Sequence, residues 1–185
     1  MKAAIALLAN YRAQNFARKI VFELEQAYQI DFLAALLPAH ISLKQPFSFE
    51  SMERLEGYFD SLAAQIGPFQ IQLDKIYYTE WDGNGVLGIN VEETNTLREL
   101  HNQLNRELSK LFVDTSAPHD GDGYHFDMTI ELGKVDKRNP FQAYFEKLED
   151  RKVNLSFQAE EIALFYYIGR EHGSFICYKA LPLTG

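Results

Sequence analysis

Pro38-Ala39-His40-Ile41-Ser42-Leu43-Lys44-Gln45-Pro46-Phe47 (residues 38–47) and Gly123-Tyr124-His125-Phe126-Asp127-Met128-Thr129-Ile130 (residues 123–130) read as two strands of the same kind. Side chains two apart on a strand share a face. In the first, Ile41 and Leu43 point toward a core while His40 and Ser42 project to the other side. In the second, Phe126, Met128 and Ile130 form the core face, and His125, Asp127 and Thr129 share the opposite one. Each strand thus presents a titratable group and a hydroxyl away from the core.

The surrounding sequence repeats one order of elements. Before residue 38 come an apolar strand, Ala3 to Ala9, and a helix with Phe16, Ile20, Leu24 and Tyr28 at four-residue spacing; Leu36 and Leu37 then lead into Pro38. After Pro46, Ser48 is expected to cap a helix with Met52, Leu55, Phe59, Leu62 and Ile66 on one face, stopped by Gly67 and Pro68. Phe69, Ile71 and Leu73 alternate with glutamines as a half-buried strand does. Asp82-Gly83-Asn84-Gly85 signals a turn. A second set follows: strand residues Leu87, Ile89 and Val91, then a Thr96/Glu99 capping box opening a helix with Leu97, Leu100, Leu104, Leu108 and Leu111 inward. A polar loop, Ser116 to Gly123, leads to the strand Tyr124 to Leu132, and Asn139 with Pro140 starts a helix that buries Phe141, Phe145 and Leu148. A strand stretch from 155 to 168 and another from 175 to 181, joined across Arg170-Glu171-His172-Gly173, close the chain. The pattern predicts an α+β fold in one domain, residues 1–185, two-lobed with pseudo-repeats of about 1–80 and 84–185. Antiparallel sheets should carry helices on the outside and leave a cleft between the lobes, where ligands tend to bind.

Composition narrows the classes. With 46% hydrophobic residues, 14 Phe and 10 Tyr, the core needs no disulfide, and the lone Cys177, in an apolar run, is expected to be a buried structural thiol. The apolar start, Ala3 to Ala9, is too short for a secretory signal, and no run approaches the ~20 apolar residues that span a bilayer. A cytoplasmic protein without membrane contact is expected. A net charge of −8 argues against a grip on long duplex nucleic acid, while leaving room for a local pocket for one or two phosphates. There is no phosphate-binding glycine loop, dinucleotide fingerprint or zinc spacing, so neither metal nor cofactor is expected. Asp120-Gly121-Asp122-Gly123 suggests a calcium loop, but the sixth position, which needs glycine, is His125; a flexible lip beside the cleft, with His119 at its tip, fits better. His101 is expected on the polar side of its helix and His172 in a hairpin turn.

Phosphodiester cleavage needs one group to take a proton from the attacking oxygen, another to supply one to the leaving oxygen, and donors for the non-bridging oxygens. The two strands offer such a set. The stretches around His40-Ile41-Ser42 and Asp127-Met128-Thr129, with their spacing and the order of elements along the whole chain, resemble the 2′–5′ RNA ligase-like, two-histidine phosphoesterases. Their signature is histidine–any residue–threonine or serine on one strand of each lobe. The resemblance implies metal-independent hydrolysis, or reversible 2′–5′ joining, of a small phosphodiester such as a 2′,3′-cyclic nucleotide or an RNA end; no feature identifies a protein partner. It also implies His40 as one proton carrier, with Ser42 and Thr129 clamping the phosphate. The second motif departs from the family at Asp127, which stands where a histidine is expected. His125 lies two residues earlier, ~6–7 Å away along a strand. Three readings stay open: Asp127 is the second acid/base, His125 takes the role with Asp127 orienting it, or the site binds without turnover. Lys44, Arg12 and Arg170 are candidates for phosphate contact, and Phe47, Tyr124 and Tyr166 for base stacking.

Overall fold

The computed structural model describes residues 1–28, 37–81, 83–135, 140–148, 153–169 and 175–185. Leu36, the Asp82 turn position, the Asn139 cap and the 170–173 connection lie outside the described residues. The elements run β1 (Lys2–Leu8), α1 (Tyr11–Tyr28), β2 (His40–Ser48), α2 (Met52–Gln65), β3 (Phe69–Trp81), β4 (Asn84–Val91), α3 (Asn95–Leu111), β5 (Asp127–Lys134), α4 (Pro140–Leu148), β6 (Leu155–Ala159), β7 (Glu161–Tyr167) and β8 (Phe175–Pro182). No described helix is long and apolar enough to cross a membrane.

The strands form one antiparallel sheet in the order β6-β3-β4-β5-β2-β1-β7-β8. Its middle is narrow: β2 and β5 share the single register pair Ile41↔Met128, whereas β4 and β5 stay paired from Asn84↔Lys134 to Asn90↔Asp127. Two four-strand groups therefore meet at a seam. The stretch expected as one strand, 155 to 168, breaks at Glu160. Its first part pairs with β3 and its second with β1, so the chain crosses from one group to the other there. Helices α1 and α4 pack on the β6-β3-β4-β5 group, and α2 and α3 on the β2-β1-β7-β8 group. The core residues Ile5, Leu7, Ile41, Met128 and Ile89 are fully buried.

Two bulges shape β2. Ala6 pairs with Ser42 but Ile5 with Lys44, and Ala3 then pairs with Phe47. Each step adds one residue to β2, which turns the following side chains to the other face. The second extra residue lies between Lys44 and Phe47, where Pro46, without an N–H to donate, is tolerated. The strand therefore passes through Pro46 to Ser48, and α2 is capped three residues later than the sequence suggests, by Ser51, whose side chain accepts from Arg54 N. Helix α3 is likewise capped by Thr94, accepting from Leu97 N, rather than by Thr96.

His101 is not on a polar face; it is fully buried. Its Nδ1 lies 2.7 Å from Leu43 O and donates to it, which leaves Nε2 to accept the Gly121 N–H at 3.1 Å. Tyr124 stacks on its ring at a centroid distance of 4.0 Å. Arg98 holds the same segment through Gly121 O and Tyr124 O, each at 2.7 Å. Lys44 reaches Asp120 from below, and Asp120 Oδ2 also accepts Ala117 N–H at 2.8 Å. The segment expected as a flexible lip is thus pinned from beneath, and β5 begins only at Asp127. Cys177 is half-buried rather than buried.

Burial holds the His101 pKa below its ordinary value. The unfolded chain therefore takes up this proton first as pH falls, so the stability that neutral His101 contributes is complete above ~6.5 and is lost as pH drops from there toward the folded value. Thermal unfolding between neutral pH and pH 5 should show wild type losing more stability than His101→Phe, which lacks the titrating group.

Candidate active site

The seam positions the site. Antiparallel pairing of Ile41 with Met128 sets His40 opposite Thr129 and Ser42 opposite Asp127, on the side away from the buried Ile41 and Met128. All four are half-buried. The face continues outward: Asp127 pairs with Asn90, Thr129 with Gly88, and Gly88 with Tyr77. Tyr77, Gly88, Thr129 and His40 therefore form a row across four strands.

Gly88 has no side chain because Tyr77 occupies that space; a Cβ there would lie 2.6 Å from the Tyr77 ring. Lying over the glycine, Tyr77 donates its hydroxyl to Asp127 Oδ2 at 2.8 Å, and Thr129 Oγ1 donates to the same oxygen at 3.2 Å. Asp127 Oδ1 has no such donor among the described residues. Burial raises the Asp127 pKa, opposed by these two hydrogen bonds. Tyr77 is itself held protonated, first by burial and then by the charge of Asp127.

His40 is set the opposite way. Its Nδ1 donates to Pro38 O at 2.8 Å, which leaves Nε2 with a free lone pair, and its ring meets Phe165 edge-on at 4.5 Å. Burial lowers its pKa; the Pro38 carbonyl and Asp127 act against that shift. The site thus holds a desolvated imidazole that favours the neutral form and a desolvated carboxyl that favours the protonated form.

His125 is exposed at the rim, with Nε2 3.0 Å from Asn90 Oδ1 and its ring edge-on to Tyr77 at 6.0 Å. Its hydrogen-bond partner is Asn90, not Asp127. Lys44, Phe47 and Tyr124 do not line the open face. The first β2 bulge turns Lys44 inward, leaving it 1% exposed and paired with Asp120, and the second restores the original alternation, so Phe47 is buried on the same side as Ile41. Tyr124 is buried, with its ring on His101 and its hydroxyl donating to Ser42 O at 2.9 Å. Arg12 is exposed over Tyr11, Tyr166 packs against Phe49, and Arg170 lies outside the described residues. Among the described residues, no three His, Cys, Asp or Glu side chains group to hold a metal ion. Tyr77 and Gly88 escape the sequence reading, although a glycine between Leu87 and Ile89 in an apolar strand signals close approach of another group.

Tyr77→Phe removes a donor to the Asp127 carboxylate and should raise the Asp127 pKa further, at a stability cost of about 1 kcal/mol. Gly88→Ala displaces the ring and should shift Asp127 the same way, at a cost of ~1–3 kcal/mol. Carboxyl-carbon NMR titration of Asp127 measures both, and an unmoved Asp127 in both variants would contradict the hydrogen bond.

A family model described as the 2'-5' RNA ligase superfamily matches residues 12–171. Two Geobacillus proteins bearing the name "Putative phosphoesterase" align over 187 residues, covering 100% of this chain and 98% of theirs. The one from Geobacillus sp. strain WCH70 is 24% identical and the one from Geobacillus thermodenitrificans 27%. Among solved structures, a Thermus thermophilus protein superposes with a TM-score of 0.61 at 15% identity, over 100% of this chain and 99% of that one. Escherichia coli LigT complexed with 3'-AMP gives 0.59 at 17% identity, over 100% and 98%. Kluyveromyces marxianus Usb1 gives 0.57 at 13% identity, over 98% and 97%. With the family model spanning most of its length and the fold shared throughout, this chain belongs to the 2′-5′ RNA ligase superfamily.

Proposed function

We propose that this protein hydrolyses a small phosphodiester, a 2′,3′-cyclic nucleotide or an RNA end carrying that group, by metal-independent acid–base catalysis. The observation that supports the reading is the Ile41↔Met128 pair at the seam, from which strand alternation sends His40, Ser42, Asp127 and Thr129 to one face. His40 Nε2 takes a proton from water as the water oxygen bonds to phosphorus. The Asp127 carboxyl, protonated on Oδ1, gives its proton to the ribose oxygen as the P–O bond breaks. Ser42 and Thr129 hydroxyls donate to the non-bridging oxygens, where charge accumulates. With a ribose hydroxyl in place of water, the same groups run 2′–5′ joining. Asp127 is, in this reading, the replacement for the family's second histidine, and His125 lies beside the reaction rather than in it. Support also comes from fold neighbours whose structures contain nucleotides: LigT with 3'-AMP or ATP, and Usb1 with uridine monophosphate.

The reacting form needs neutral His40 and protonated Asp127, so kcat/KM for a 2′,3′-cyclic nucleotide should follow a bell-shaped pH curve. Its two limbs belong to a histidine whose pKa is lowered from 6.5 and a carboxyl whose pKa is raised from 3.8. Asp127→Asn should lower kcat/KM by about a hundred- to ten-thousandfold and abolish the alkaline fall, leaving a rate that rises through the His40 pKa and then levels. EDTA should change neither curve. A wild type that neither turns over nor binds any cyclic nucleotide ends this reading.

A further inference from the structure

Alternation aims Ser42 and Asp127 at one face, but the ladder between their strands stops at Ile41↔Met128. Ser42 stands beyond that pair with no register partner on β5, and Leu43, the extra residue of the first β2 bulge, has none on β1. Side chains take the place of the ladder. Ser42 O accepts the Tyr124 hydroxyl at 2.9 Å, and Leu43 O accepts from His101 Nδ1 at 2.7 Å. The two donors stack on each other, with centroids 4.0 Å apart and planes 26° apart, so they form one aromatic block set against β2. At the other end of the seam the strands part around a small opening of about 20 Å³, lined in part by Ala39, Thr129 and Ile130.

Tyr124 is itself held at every point. Its carbonyl accepts from Arg98 at 2.7 Å and its N–H donates to Gly121 O at 3.0 Å. Its ring, 3% exposed, meets Phe126 edge-on at 5.1 Å, and its hydroxyl accepts from Gln45 Nε2 at 3.4 Å. Burial raises the Tyr124 pKa above its ordinary value, so the hydroxyl stays a donor. The bond to Ser42 O therefore joins the backbone of Ser42 to the segment that leads into Asp127, across the place where the strands are unpaired.

We infer that Tyr124 is the positioning residue for Ser42, fixing its hydroxyl relative to Asp127 and Thr129 so that the two hydroxyls clamp one phosphoryl group. Within each strand the spacing is set by the backbone; across the seam it is set by the Tyr124 side chain. Tyr124 touches no substrate and acts only through Ser42. A clamp of this kind tolerates little error, because a displacement of about 1 Å at a positioning group is enough to lower activity. The inference rests on the proposed phosphodiester site, in which Ser42 donates to a non-bridging oxygen.

The test is a double-mutant cycle between Tyr124→Phe and Ser42→Ala, read as affinity for adenosine 3′-monophosphate by calorimetry. Tyr124→Phe keeps the stacked ring and removes only the hydroxyl. It should weaken binding about tenfold in the wild-type background and less than about twofold in the Ser42→Ala background. A general loosening of the fold would give the same loss in both. Relaxation dispersion on the ligand-free protein is the second arm: Ser42 resonances should show microsecond-to-millisecond exchange in Tyr124→Phe and none in wild type. Undiminished binding by Tyr124→Phe, an equal loss in both backgrounds, or a Ser42 as ordered in the variant as in wild type overturns the inference. A wild type that binds no nucleotide, with Ser42 loosened only in the variant, sinks the phosphodiester reading and leaves Tyr124 as the residue that positions Ser42. Binding without coupling between the two substitutions sinks the role of Tyr124 alone.

Discussion

Ile41 and Met128 face each other at the single register pair between β2 and β5, and the arrangement of the candidate site depends on that pairing. Both side chains are fully buried, so neither strand can slip by one residue without turning apolar groups to water and the polar set into the core. Fixing this pair fixes four others by alternation alone. His40, Ser42, Asp127 and Thr129 need no loop to aim them; they stand on a hydrogen-bonded lattice whose spacing is set by the backbone. Functional groups built on strands in this way are held more closely than groups on loops.

The same burial that secures the seam sets the electrostatics of the open face. Desolvation disfavours charge on both His40 and Asp127, and so moves their pKa values in opposite directions. Hydrogen bonds then decide which atoms are available. Pro38 O takes the Nδ1 proton of His40, and Tyr77 with Thr129 takes Oδ2 of Asp127. One nitrogen and one oxygen remain without a hydrogen-bond partner among the described residues. Gly88 belongs to this arrangement although it contributes no functional group, because any side chain there would push Tyr77 away.

Beneath the face lies a second polar layer that serves the fold. Lys44 with Asp120, and His101 with Leu43 O and Gly121 N, tie the segment before β5 to β2 and α3. A buried charge pair is costly to form and more costly to break, since loss of one partner strands the other. This layer holds in place the backbone from which Asp127 and Thr129 project.

Much of this was legible in the amino-acid order. The alternation in 40–43 and 126–130, the leucine spacing of α3 and the lone cysteine were enough to expect an α+β chain with two matching strands, and the paired motifs pointed to the family. These features are local: each depends on the period of a strand or helix and on which side chains avoid water. Lys44 was misread for the opposite reason. Its facing depends on a bulge in the β1–β2 ladder, which exists only once β1 is alongside. His101 looked like a solvated helix residue until Leu43 O, Gly121 N and the Tyr124 ring, all distant in sequence, closed around it. Tyr77 lies fifty residues from Asp127, and nothing in its own stretch marks it. Which strand lies beside which, and hence which polar groups share a desolvated space, is a long-range outcome of packing that no local period encodes.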